Sequence, residues 1–375
     1  IIGQYPFLSV FSKLFEKIVC TRLTTFICKN NILYEKQFAF RKGYSTCHAL
    51  LYFKDKVANA FENNEFLIGV FLDLSKAFDC IDHDILINKL SFYGVRGIPF
   101  LLMKSYLLNR RQYVSMGNRY SEYSSILTGV PQGSNLGPLL FLLYINDLPL
   151  VSNILSSILF ADDTTLFVSG KDPIHVNILL NSEITKIHKW FLANKLLINF
   201  DKTNYIIFKT KNKYVNEDDI KICINGKEIK QVQQVTFLGI IIDQHLTWKY
   251  HINCISNKIS KVIGVLNRLK YILPLRILVN LYNTMILPYL NYCIIVWGNC
   301  AMYLTQKIFL LQKRAVRVIT NSFYRAHTDQ LFFKLKILKL HDLYEISVAV
   351  FMFSYVFDNI NLPDCFNDYF VLIEI

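Results

Sequence analysis

The feature that most constrains this chain is Phe160-Ala161-Asp162-Asp163, two adjacent carboxylates set between the apolar runs Ile158-Leu159 and Leu166-Phe167-Val168. Neighbouring anions repel, and withdrawing carboxylates from water is costly unless a positive charge compensates. The flanking residues read as short strands, with Ala161 to Thr164 as the tight connection between them, so the acids are expected at a hairpin tip. A third carboxylate has similar surroundings upstream. In Gly69-Val70-Phe71-Leu72-Asp73-Leu74 an apolar, β-prone run ends on an acid. Three carboxylates so placed imply a site for two divalent cations, an arrangement suited to in-line displacement at phosphorus.

At 375 residues the chain can bury a large core and is expected to contain two or three structural units. Its formal charge of +13 calls for a polyanionic partner, because Lys and Arg gain affinity for phosphates by releasing condensed counterions. The excess is concentrated just after the Asp pair, where residues 171–280 hold 17 basic and 8 acidic side chains. A hydrophobic content of 53% and a mean hydropathy of +0.29 raise the question of a membrane span in the charge-free stretch 277–306. That stretch carries Asn280, Asn283, Pro288, Asn291 and Asn299, poor material for crossing hydrocarbon, so packed helices and no membrane are expected. The nine cysteines are scattered without a C-x-x-C pair and read as thiols in a reducing compartment. The chain begins with Ile and shows no signal peptide, so it reads as an internal fragment of an intracellular protein, nuclear or cytoplasmic rather than secreted.

Periodicity orders the rest. Residues 9–29 form an amphipathic helix with Ser12 as its N-cap, and the basic loop Gln37 to Thr46 opens a second helix running to about Asn63. The strand ending at Asp73 follows, then a helix to Tyr93 capped by Asp82 or Asp84, and another helix over 99–109. Two short strands are expected at Gln112–Ser115 and Ser124–Leu127. Residues 128–134 are dense in turn signals and lead into the apolar helix Gly137–Asn146, which should lie buried beneath the sheet that carries the Asp pair. Beyond it come a helix over 174–195, strands at Tyr205–Phe208 and Val235–Ile242, a hairpin turn at Asn225-Gly226, and helices only from about Thr247. This pattern is α+β followed by an all-helical region.

Several blocks carry a resemblance to a known family. Phe71-Leu72-Asp73-Leu74-Ser75-Lys76-Ala77-Phe78-Asp79, Gly129-Val130-Pro131-Gln132-Gly133-Ser134, Phe160-Ala161-Asp162-Asp163 and Phe237-Leu238-Gly239 resemble successive reverse-transcriptase motifs. With Ser12-Lys13-Leu14-Phe15-Glu16-Lys17 upstream, their order most resembles the polymerase of non-LTR (LINE-type) retrotransposons. The resemblance implies a right-hand polymerase fold. Fingers and palm, with an antiparallel sheet, would occupy residues 1–243, and a helical thumb and connection residues 244–375. It implies RNA-directed DNA polymerisation, with an RNA template, a DNA primer and deoxynucleoside triphosphates as partners, and the alternative of a decayed relative that binds nucleic acid without polymerising.

Carried over residue by residue, the resemblance gives Asp73, Asp162 and Asp163 to two magnesium ions, with manganese as a substitute. Lys202 becomes the donor of a proton to leaving pyrophosphate. Arg41 and Lys42 meet the triphosphate, Phe78 excludes a 2′-hydroxyl, and Gln132 with Gly133 contacts the nascent base pair. Trp248, Tyr250, Tyr271, Lys313, Arg314 and Arg317 suit a primer-template groove. His83 reads as structural. The segment Gln4-Tyr5-Pro6-Phe7-Leu8-Ser9 lacks the Arg that the family usually places before its Pro-Ile-Ser, and an endonuclease activity is expected from a missing portion or another chain.

Overall fold

The computed structural model describes residues 9–108, 110–131, 133–215, 220–357, 362–367 and 369, so the departure at residues 4–8 lies outside the described residues. Helix α1 (Val10–Lys29) is capped by Ser9, whose Oγ accepts from the Ser12 amide at 3.1 Å. The expected cap, Ser12, is thus the donor in that cap. Helix α2 (Thr46–Glu62) starts at a second serine cap, Ser45. Strand β1 (Phe66–Leu72) is buried at every position, as its unbroken apolar run requires. Helix α3 (His83–Phe92) is capped by Asp82, which accepts from the Ile85 amide at 3.0 Å, and α4 (Gly97–Leu107) follows.

Four two-residue strands, β2 (Arg111–Gln112), β3 (Ser115–Met116), β4 (Arg119–Tyr120) and β5 (Ser124–Ser125), make an exposed ribbon where two strands were expected. Helix α5 (Gly137–Ile145) is buried except at Pro138. Strands β6 (Ser156–Phe160) and β7 (Asp163–Gly170) form a hairpin, followed by α6 (Pro173–Ala193) and β8 (Asn204–Phe208). Strands β9 (Cys223–Ile224) and β10 (Lys227–Glu228) flank Asn225-Gly226, at φ 52° and 75°, the positive pair that a type I′ turn needs. Next come β11 (Lys230–Gln231), β12 (Gln234–Phe237) and β13 (Ile240–Asp243). The apolar run Val235–Ile242 is therefore two strands rather than one. It folds back at Leu238-Gly239, φ 45° and 81°, with Phe237 opposite Ile240.

Past Asp243 every described element is helical: α7 (Lys249–Leu269), α8 (Leu275–Met285), α9 (Leu287–Asn291), α10 (Ile294–Trp297), α11 (Met302–Ile319), α12 (Asp329–Leu335) and α13 (Leu340–Phe357), with a short 3₁₀ turn near the end.

These elements group into two compact units, each discontinuous in sequence. One comprises Ile1–Lys42, Leu67–Tyr205 and Tyr214–Gln231; the other comprises Gly43–Phe66, Ile206–Lys213 and Val232–Ile375. The break nearest residue 243 thus falls after Gln231, ahead of the β12–β13 hairpin, and α2 groups with the later helices. A five-stranded sheet in the order β11-β8-β1-β7-β6 takes most of its residues from the first unit. Its β6–β7 pair is antiparallel while its edge pair β11–β8 is parallel, so the sheet is mixed rather than wholly antiparallel. Helix α3 packs on α4 and α5, and α6 on β7 and β9. Leu142 of α5 packs with Ala39 and Ala161, which sets this apolar helix under the hairpin tip as expected.

In the second unit α7 packs against α11, α8 and β13. The buried Asp243 accepts from the amides of His245, Thr247 and Trp248 and from the Thr247 hydroxyl, at 2.9–3.1 Å, and so fixes the entry to α7. The charge-free stretch supplies most of α8 and all of α9 and α10, whose Tyr282, Leu290 and Trp297 are fully buried. Among the described residues one helix, α13, is long and apolar enough to cross a membrane, and 11% of it is buried.

Candidate active site

The tip of the β6–β7 hairpin is shorter than its sequence implies. Only Ala161 and Asp162 make the turn, while Asp163 and Thr164 already pair with Phe160 and Leu159. Ala161 has φ 56°, a left-handed conformation that costs a residue with a Cβ. It is held there by Gln37. The Gln37 Oε1 accepts from the Ala161 amide at 3.3 Å and from the Ala39 amide at 3.1 Å. The segment around Gln37 in turn zips onto β6, with Phe38 N to Leu159 O at 2.9 Å and Leu159 N to Lys36 O at 3.0 Å. Gln37 is 1% exposed, although Glu35 and Lys36 precede it directly, so its sequence surroundings do not mark its burial.

Asp73 stands one residue beyond β1, the strand beside β7. Its neighbours pair with the chain after α6. Asn199 donates to the Asp73 carbonyl at 2.8 Å, Ser75 donates to Leu197 at 2.8 Å, and the Asp73 amide meets Thr203 Oγ1 at 3.3 Å. This pairing delivers Lys202 Nζ to 3.8 Å from Asp73 Oδ2, with the lysine side chain 70% exposed. The Asp163 carboxyl is pushed up to about 6, first by desolvation at the tip and then by the charges of Asp162 and Asp73. Asp163 as a residue is exposed, so its carboxyl is packed on one side and open to solvent on the other. Asp163 thus feels both of the other acids.

Among the described residues no set of three His, Cys, Asp or Glu side chains is grouped so as to hold a metal ion by itself. Under-compensated hard oxygens fit a divalent cation that binds through one or two carboxylates and completes its shell with water and phosphate. They do not fit an ion enclosed by protein alone.

The loop after β5 is fastened to the residues following Asp73. Val130 N donates to Phe78 O at 3.0 Å, Gly129 N to Ile81 O at 2.7 Å, and buried His83 Nε2 to Gly129 O at 2.8 Å. Gly129 has φ 84°, and a Cβ there would meet the Asp79 carbonyl oxygen at 2.9 Å, so the close approach requires glycine. The Phe78 ring stacks on Phe141 of α5 at 4.6 Å and 27° and is half-buried, backed by core with part of its surface open. Gly133 has φ 83° with open space where a Cβ would stand; Gln132 lies outside the described residues.

The far end of this loop is anchored by Glu16 of α1, a residue to which the sequence pattern assigns no role. Its Oε2 accepts from the Asn135 amide at 2.8 Å and its Oε1 from the Tyr106 hydroxyl at 2.9 Å, while Asn135 Nδ2 donates to Lys13 O at 2.8 Å. Glu16 is 1% exposed, so both of its oxygens must be satisfied by such donors. Burial, with Glu16 adding to it, pushes Tyr106 up to about 12. The available signal was spacing: Glu16 shares one helical face with the buried Leu23 and Ile27.

The remaining residues singled out from sequence divide. Arg41 Nη1 donates to the carbonyls of Tyr34 at 2.9 Å, Gln37 at 3.2 Å and Glu35 at 3.4 Å, bracing the segment that holds the hairpin tip. Lys42 is exposed. In the second unit Tyr250 and Tyr271 are exposed, Lys313 lies over Phe309, and Arg317 Nε donates to Ala326 O. Trp248 is buried at the start of α7 and has no face to offer a base, which corrects its place in the expected groove.

Residues 4–242 match the model of the reverse transcriptase (RNA-dependent DNA polymerase) family, and the chain belongs to that family. Its relatives within the family are polymerases of non-LTR retrotransposons. It is 32% identical over 334 residues to the probable RNA-directed DNA polymerase from transposon BS of Drosophila melanogaster, covering 84% of this chain and 36% of that protein. It is 29% identical over 349 residues to the RNA-directed DNA polymerase from mobile element jockey of the same species, covering 88% and 37%. The chain therefore spans little more than a third of the length of these relatives. Among solved structures, telomerase from Candida albicans, in complex with a TWJ fragment of telomeric RNA, superposes with a TM-score of 0.50 at 12% identity, over 88% of this chain and 59% of that one. At that identity the likeness is one of fold.

Proposed function

We propose that this chain is the polymerase portion of a non-LTR retrotransposon protein and extends a primer 3′-hydroxyl with deoxynucleotides along an RNA template. The observation that carries this reading is that Asp73 and Asp162 both act on the Asp163 carboxyl at the ends of neighbouring strands, in a chain of this family. Residues 1–243 would serve as fingers and palm, and 244–375 as thumb and connection. Reverse transcriptases work with divalent metal ions, and here Asp73, Asp162 and Asp163 would hold two, magnesium or manganese. When bound, such ions acidify the primer hydroxyl and offset charge on departing pyrophosphate.

The chain's own residues do the rest. The Lys202 ammonium, close to Asp73, is placed to give a proton to pyrophosphate, a general-acid role. Phe78, fixed by Phe141, stands against the sugar and leaves no room for a 2′-hydroxyl. Glu16 and His83 fix the two ends of the loop to which the family resemblance gives the contact with the nascent pair, through Gln132 and Gly133. Lys42 and Arg41 meet the triphosphate. RNA template, DNA primer and deoxynucleoside triphosphates are the partners, and target cleavage belongs to another region or chain. Primer extension on an RNA template tests the reading. It predicts incorporation with magnesium that EDTA abolishes; nucleic-acid binding with no incorporation under any divalent ion would favour the decayed, binding-only alternative.

A further inference from the structure

The exposed ribbon β2–β5 has no part in the site above, and its composition is unusual for a solvated arm. Arg111 pairs with Ser125 and Gln112 with Ser124, then Ser115 with Tyr120 and Met116 with Arg119, around a turn at Gly117 of φ 61°. All eight strand residues are exposed, and a two-stranded ribbon without a covered face gains little stability of its own. Three tyrosines nevertheless gather on it. The rings of Tyr120 and Tyr123 lie 5.9 and 5.2 Å from that of Tyr113, and the three residues are 68%, 69% and 48% exposed. Arg111 and Arg119 lie on the ribbon's strands and Arg110 at its base, with its guanidinium over the Tyr106 ring at 4.9 Å; Glu122 is the ribbon's one acid, and among the described residues none of these three arginines has an ion-pair partner. The base of the ribbon is firm: Ile126 donates to Arg110 O at 2.9 Å, and Thr128 bridges to Asp82.

We propose that this ribbon is a docking arm for single-stranded nucleic acid, its tyrosines stacking on unpaired bases while Arg110, Arg111 and Arg119 meet phosphates. Flat rings accept any base, and guanidiniums without ion-pair partners supply the backbone contact, the combination by which proteins hold single strands without reading sequence. A protein partner fits less well, since covering this patch would desolvate three cations without compensating anions. The inference rests on the polymerase reading for its occupant.

The test is fluorescence anisotropy with a labelled single-stranded RNA of about 16 nucleotides, the same sequence as single-stranded DNA, and the corresponding duplex. The wild-type chain, Tyr113→Ala/Tyr123→Ala, Tyr113→Phe/Tyr123→Phe and Tyr120→Ala alone are compared, with thermal melts confirming that each folds. The expected result is that the double alanine variant binds single strands about tenfold or more weakly, while the phenylalanine variant binds like wild type. Binding within about twofold of wild type by the alanine variants, or a preference for duplex that ignores the tyrosines, overturns the proposal. So does loss of self-association with RNA binding unchanged, which would make the ribbon a protein interface. Primer extension by the wild-type chain separates the two readings. Extension with tyrosine-independent binding refutes the arm alone, whereas a chain that neither binds nor extends refutes both.

Discussion

Desolvation and the charges of Asp162 and Asp73 push the Asp163 carboxyl up to about 6, and Asp163 therefore reports on the site. Its folded value lies above the ordinary 3.8, so the native state binds its proton more tightly than the unfolded chain does. That contribution to stability is complete below about pH 4 and is lost as the pH rises through about 6. Asp163→Asn should accordingly raise the melting temperature at pH 7.5 without divalent ions and leave it nearly unchanged at pH 4. Magnesium should stabilise the wild type at pH 7.5 more than the variant. A variant less stable than wild type at pH 7.5 without metal would contradict this. Phe78 gives a second readout: Phe78→Val should raise ribonucleotide incorporation relative to deoxynucleotide, measured by competitive single-nucleotide extension, with folding kept because Phe141 is buried independently. The acids were legible in the sequence because each interrupts an apolar run. Glu16 and Gln37 were not, because what they hold lies 119 and 124 residues away along the chain.

At the scale of elements, the hairpin that presents Asp162 depends on a segment from the far side of the sequence. Gln37→Leu should leave the amides of Ala39 and Ala161 without their acceptor, each at a cost on the order of 1–3 kcal/mol less what the apolar side chain restores. Urea denaturation measures it, and incorporation should fall further than stability does, because the turn at Ala161 loses its clamp. Glu16→Ala should act in the same way at Asn135, raising KM for nucleotide more than it lowers kcat. Most elements were legible from periodicity and caps, including the buried helix α5 and the Asn225-Gly226 turn. The fold-back at Leu238-Gly239 was not, since the largely apolar, β-prone run Val235–Ile242 looks like one strand until Leu238 is found at positive φ. The ribbon β2–β5 was misread for the opposite reason: it has no buried face, so no alternation marks its strands.

At the scale of the molecule, the two units explain why a linear division after residue 243 is only approximate. The β12–β13 hairpin ends on Asp243, whose four hydrogen bonds organise the start of α7, so it belongs with the helices it introduces. The α+β character, the wholly helical tail and the family were all readable from order and spacing of motifs. The mixed direction of the sheet was not, because its parallel edge pair involves the two-residue strand β11, too short to carry a pattern. The central claim is that Asp73, Asp162 and Asp163 form the reacting centre of an RNA-templated DNA polymerase. Its most direct test is single-nucleotide incorporation onto a labelled DNA primer annealed to RNA, with magnesium, by wild type and Asp162→Ala, with primer-template affinity measured in parallel. The account predicts incorporation by wild type and its loss, by at least about a thousandfold, in the variant at unchanged affinity. Equal incorporation by both would contradict it.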